Sequence, residues 1–347
     1  MRLLITLLSC ILLFNGCSKG AEQELKETNT IEPTNTEERT FTNPILDNGA
    51  DPWVTSKDGT YYYTHTTGNS ISVWKSQTLT GLASGENKVV WFPPLSGPNT
   101  SEIWAPELHY LNGKWYIYYA ADDGQNENHR MFVLESETDD PLGNYVDKGM
   151  MDTSGRWAID GTTLQKEDGS LYFIWSGWEG TENVSQHLYT APMSNPYTIS
   201  GAPVEISRPT YDWELNGNPT INEGPQVLIH EDQIFVIYSA SGSWTDDYCL
   251  GMLSTQMKSD LLNPASWAKH DQAVFMRTDQ VFGPGHSSFV KSPDGKEDWI
   301  LYHAAKSQGS GWNRNVRMQS FEWNQDGSPN FGTPIAEGIP LAVPSGE

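Results

Sequence analysis

"WAPELHYLNGKWYIYYAA", residues 104–121, reads as a strand, a two-residue turn and a second strand. Asn112-Gly113 supplies the turn, because a type I′ hairpin needs positive φ at both central residues and these two residue types tolerate it. A hairpin alone would not define a fold. Four further stretches follow the same plan: "KDGTYYYTHT" (57–66), "EDGSLYFIWSG" (167–177), "HEDQIFVIYSA" (230–240) and "PDGKEDWILYHA" (293–304). All but "HEDQIFVIYSA" carry Asp-Gly or Asn-Gly; it has Asp232-Gln233 instead. Helical periodicity is scarce from residue 41 onward.

The segments before the turns recur as well: "GADPWVTS" (49–56), "WAPELHYL" (104–111), "IDGTTLQK" (159–166), "EGPQVLIH" (223–230) and "GHSSFVKS" (285–292). Each opens with a polar or charged residue at the head of a strand. Asp51, Glu107, Asp160, Glu223 and His286 mark them, 56, 53, 63 and 63 residues apart. A period of about 60 residues built from short strands points to a radial repeat, whose blades are four-stranded sheets around a central channel. The expectation is a five-bladed β-propeller over residues 41–347, with the active site at one mouth of its channel. A sandwich of eight to ten strands is the structural alternative.

In a propeller the innermost strands all begin at the same mouth, so the markers would converge. Three of them, Asp51, Asp160 and Glu223, are unpaired carboxylates. Like charges brought together, and partly buried, raise at least one pKa. One protonated and one ionised carboxyl are what glycoside hydrolysis requires. Each residue alone has a plainer reading: Asp51-Pro52 and Asp160-Gly161 are common turn starters, and most glutamates are solvated.

"GADPWV", "WAPELHYLNGKWYIYYA", "IDGTTL", "NEGPQVL" and "GPGHSSFV…DWILYHA", in this order, resemble glycoside hydrolase family 43 across residues 41–347. That resemblance implies a five-bladed propeller that hydrolyses arabinosyl or xylosyl linkages with inversion. By position it implies Asp51 as general base, Glu223 as general acid and Asp160 as the carboxylate that orients the acid and tunes its pKa. His286 matches a histidine at the channel centre, near a structural calcium or ordered water; the chemistry itself requires no cofactor. Arg317 resembles an arginine that reaches the site, with Arg314 as the rival. Trp104, Trp53 and Trp157 stand beside the markers, where an indole could stack on the C–H face of a sugar or simply pack between blades. Glu107 is read as a brace.

The closest branch by motif is an exo-acting α-L-arabinofuranosidase working on plant polysaccharides or oligosaccharides. A β-D-xylosidase or endo-arabinanase is the alternative within the family, and a non-catalytic glycan-binding surface lipoprotein is the alternative of another class. Arabinose- or xylose-containing glycans are therefore the expected partners. A formal charge of −23 excludes nucleic acid, which needs clustered Lys and Arg. No zinc-protease helix, nucleophile elbow, Walker loop or dinucleotide fingerprint occurs.

At the N-terminus "LLITLLSCILLFNG" is too short to span a bilayer and leads into Cys17. It resembles a bacterial lipoprotein signal: residues 1–16 removed, Cys17 lipidated, and the polar, acidic stretch 17–40 a disordered tether. The expected location is the cell envelope, with membrane contact through the lipid only; ordinary secretion is the alternative. Cys249 would remain as a lone buried thiol without a disulfide partner.

Overall fold

The structure is a computed structural model that describes residues 39–347. The signal segment, Cys17 and the tether up to residue 38 lie outside the described residues. Five antiparallel blades follow one another along the chain. Blade I comprises Trp53–Lys57, Thr60–Thr64, Ile71–Ser76 and Glu86–Trp91, and blade II comprises Ser101–Leu111, Lys114–Asp122, Arg130–Ser136 and Tyr145–Met150. Blade III has Ala158–Gln165, Leu171–Trp178 and Ser185–Asn195, its outer position shared by Thr198–Ile199 and Val204–Ser207. Blade IV runs Thr220–His230, Gln233–Ala240, Cys249–Gln256 and Ala268–Lys269, and blade V runs Phe282–Lys291, Asp298–Ala305, Arg314–Trp323 and Pro329–Asn330.

Turn chemistry explains the first two hairpins directly. Asp58 and Gly59, then Asn112 and Gly113, all have φ between 51° and 83°, the type I′ requirement. At Asp168-Gly169 and Asp294-Gly295 only the glycine is left-handed, so these two connections are not I′ turns.

The second strands of blades II to V are buried on both faces, as "WYIYYAA" shows. A blade touches a neighbour on each side, so an apolar residue is useful at every position and alternation disappears. Five apolar clusters result, one for each pair of adjacent blades. Ile71 and Val73 meet Ile103 and Trp115; Tyr118 and Met131 meet Trp157 and Phe173. Leu164 and Ile174 meet Ile234 and Val236; Phe235 and Leu250 meet Ile300 and Tyr302. Val54 and Tyr63 meet Leu301 and Met318 across the closure. Much of the load of 14 Trp, 15 Tyr and 11 Phe is spent here.

The ring is closed by the two ends of the described chain. Thr40–Thr42 pairs antiparallel with Pro340–Ala342, so Thr40, within the stretch read as tether, is part of the folded unit. The Asn43 side chain donates to the Met318 carbonyl (2.8 Å) and accepts from the Met318 N–H (2.9 Å). Cys249 is buried, and burial pushes its thiol up to about 12, which keeps it unreactive.

Candidate active site

At the head of each inner strand one residue adopts a left-handed conformation: Asp51 (φ 55°), Ala105 (41°), Asp160 (54°), Gly224 (55°) and His286 (45°). In blades II to V it coincides with a β-bulge, where the ladder skips between Trp104 and Glu107, Ile159 and Thr162, Glu223 and Gln226, and Gly285 and Ser288. A bulge bends the strand and re-aims the side chain. The sequence supports this alignment, since Asp51, Ala105 and Gly224 each precede a proline.

Two of the sequence markers are therefore displaced from the slot they were assigned. Glu107 sits two residues after the left-handed position, matching Gln226, and the two side chains are hydrogen-bonded across the channel. Glu107 also lies 2.8 Å from His109 Nε2, so it braces the channel wall. Glu223 sits one residue before Gly224. It does not share the slot of Asp51 and Asp160; its counterpart in blade II is Trp104.

Asp51 is held from several blades. Its N–H donates to His303 Nδ1 (3.0 Å), and Thr66 donates to Oδ2 (2.6 Å) while accepting the Ala105 N–H (2.7 Å). Oδ1 lies 3.2 Å from His286 Nδ1 and 3.7 Å from Arg314 Nη1. Because His303 Nδ1 accepts a hydrogen bond, its proton belongs on Nε2, and burial holds the imidazole well below the usual range, so it is neutral. Burial also lowers His286, against the pull of Asp51 and Glu107.

Asp160 is buried and accepts the Gly224 N–H at Oδ2 (3.0 Å), which fixes the peptide that follows Glu223. Burial pushes its carboxyl well above the ordinary range, and the charges of Glu223 and Asp51 add to this. Glu223 is buried and accepts the Tyr248 hydroxyl at Oε1 (2.9 Å). Burial raises its carboxyl to about 7; the Tyr248 hydrogen bond and Arg314 pull it down, and Asp51 pushes it up. An acid poised near neutrality thus stands within electrostatic reach of a partly exposed carboxylate held by His303, Thr66, His286 and Arg314. Gly224 has a steric role too: a Cβ there would lie 3.1 Å from His286 Nδ1.

The arginine beside Asp51 is Arg314. Arg317 lies elsewhere, bonded to Asn315 Oδ1 (2.9 Å) and facing Glu337 (3.7 Å), so the expectation for Arg317 is corrected. Trp53 packs between blades I and II, its Nε1–H on the Leu108 carbonyl (2.9 Å) and its ring 4.5 Å from His109. Trp157 is buried and stacked on Trp178 (4.9 Å, 9°). Both indoles are committed to packing. Trp104 is half-buried, stacked on His129 (4.0 Å, 23°), and remains placed to meet a ligand.

Sequence reading missed Thr66, His303 and Tyr248. Thr66 and His303 come just after, or at the end of, the second strand of their hairpins, which returns to the same mouth; the repeat logic could have found them. Tyr248 ends the irregular loop "SGSWTDDY" and carries no such signal.

Among the described residues no group of three or more His, Cys, Asp or Glu side chains is arranged to hold a metal ion. Calcium takes six to eight oxygens, and His286 offers one imidazole whose Nδ1 already faces Asp51. Among the described residues the protein groups do not by themselves make a calcium site.

The sequence matches the family described as Glycosyl hydrolases family 43 over residues 41–329. It is 42% identical over 315 residues to an extracellular exo-α-(1→5)-L-arabinofuranosidase of Streptomyces avermitilis, covering 86% of this chain and 65% of that protein. An extracellular exo-α-(1→5)-L-arabinofuranosidase of Streptomyces chartreusis is 36% identical over 272 residues, covering 76% of this chain and 82% of that one. The chain thus spans just under two thirds of the length of the first of these relatives. Among solved structures, an α-L-arabinofuranosidase from Lactobacillus brevis superposes with a TM-score of 0.81 at 34% identity, covering 86% of this chain and 98% of that one.

Proposed function

The chain belongs to glycosyl hydrolases family 43, and from that premise we propose that it is an inverting, exo-acting α-L-arabinofuranosidase that releases arabinose from plant polysaccharides or oligosaccharides. One observation carries the reading: Glu223 holds its proton up to about 7 while Asp51, in the same cluster, is fixed by polar contacts on both carboxylate oxygens. Glu223 then protonates the glycosidic oxygen. Asp51 takes a proton from water, which attacks the anomeric carbon from the opposite face. Asp160, bonded to the Gly224 N–H, holds the acid's backbone in place. Carboxylates suffice for this route, so no cofactor is required. The sugar specificity is supported by the names of the relatives at 42% and 36% identity.

The reading is tested by following hydrolysis of 1,5-α-L-arabinotriose by proton NMR. Arabinose should appear one residue at a time from one end, with the β-anomer formed first. An α-anomer as first product would remove Asp51 as base; turnover of xylo-oligosaccharides alone would favour a β-xylosidase. Binding without turnover of either glycan would leave the glycan-binding alternative.

We also propose that the protein is exported and anchored through a lipid on Cys17. The support is the apolar segment ending at Gly16 before that cysteine, and the extracellular naming of the relatives. Cys17→Ser should move the protein from the membrane fraction to the soluble fraction. Unchanged fractionation would overturn the anchor.

A further inference from the structure

Two indoles that play no part in the preceding chemistry stand at the same mouth. Trp244 and Trp312 lie on the loops following the second strands of blades IV and V, and they are 36% and 68% exposed. Their ring centroids are 6.2 Å apart at an interplanar angle of 77°, which makes an aromatic corner. Neither ring is loose. The Trp312 Nε1–H donates to Ser243 Oγ (3.1 Å). The Trp244 ring covers Gly242 and Gly217, where an added Cβ would come within 2.8 and 3.3 Å of it. Gly309 N–H donates to Asp246 Oδ1 (2.8 Å), which joins the two loops.

The corner is wired to the reacting carboxylates. Arg314, two residues after Trp312, donates through Nη2 to the Ser243 carbonyl (2.5 Å) and reaches Asp51 through Nη1 (3.7 Å). The loop that carries Trp244 ends at Tyr248, whose hydroxyl donates to Glu223. Through Tyr248 this loop therefore adjoins the carboxyl that would protonate a departing sugar.

We propose that Trp244 and Trp312 form the subsite for the arabinofuranosyl residue on the leaving-group side of the scissile bond, taking its C–H face against an indole. This rests on the arabinofuranosidase reading above. Furanose rings present apolar faces that suit aromatic stacking, and the occupant is neutral, as a chain of formal charge −23 favours.

The test compares Trp312→Ala and Trp244→Ala with the parent enzyme on 1,5-α-L-arabinotriose, with free L-arabinose as inhibitor. KM for the triose should rise about tenfold with kcat nearly unchanged, the signature of lost uniform binding. Inhibition by free arabinose, which needs only the cleaved-residue pocket, should not move, and Trp312→Phe should restore most of the loss. Parent-like KM in both alanine variants would overturn the subsite while leaving the enzyme assignment intact. An equal loss for triose and free arabinose would also overturn it, because the effect would then be a general distortion. A parent enzyme without turnover or binding of arabinotriose would overturn the substrate reading and this subsite together.

Discussion

Glu223→Gln is expected to lower kcat/KM on 1,5-α-L-arabinotriose by about 10²–10⁴-fold, the usual worth of a positioned general acid. Glutamine keeps an oxygen for the Tyr248 hydroxyl, so the fold should be retained and the lost proton is what the assay reads. On 4-nitrophenyl α-L-arabinofuranoside the loss should be much smaller, because nitrophenolate leaves with little protonation. Equal losses on the two substrates would remove Glu223 as the acid. The pH profile adds a sign. With its carboxyl at about 7, Glu223 is protonated and competent below that pH, and activity falls as pH rises through it. Tyr248 donates to the ionised form and so lowers this pKa; in Tyr248→Phe the alkaline limb should move to higher pH.

Asp51→Asn should show a different pattern, a loss of about 10²–10⁴-fold on arabinotriose and on the nitrophenyl glycoside alike. Water must be deprotonated whatever the leaving group is. Asparagine is the informative replacement because Asp51 has φ 55°, and Asn is among the few side chains at ease there. The Asp51 N–H bond to His303 is a backbone contact and survives the change. Activity on the aryl glycoside close to that of the parent would mean that Asp51 is not the base.

Trp104 and Trp53 show how unevenly sequence conveys a site. Both indoles flank a marker carboxylate and looked alike as candidates, yet Trp53 is tied by its Nε1–H to the Leu108 carbonyl of the next blade while Trp104 stays half-buried at the mouth. What separates them is a blade-to-blade contact spanning 55 residues of chain. Arg314 and Arg317 differ for a related reason: three residues apart on one strand, they leave in different directions, one to Asp51 and the other to Glu337.

By itself the sequence determined the five-fold repeat, the hairpins and the strand heads at which Asp51, Asp160, Glu223 and His286 stand. Those are local properties: the demand of a turn for positive φ, and the length of an apolar run between two turns. Tertiary structure alone decided that Arg314 and Tyr248 complete the cluster, and that Glu223 is buried enough to keep its proton near neutrality. A pKa follows from burial and from charges brought together across the channel, such as Asp51 and Arg314, more than 260 residues apart in the chain.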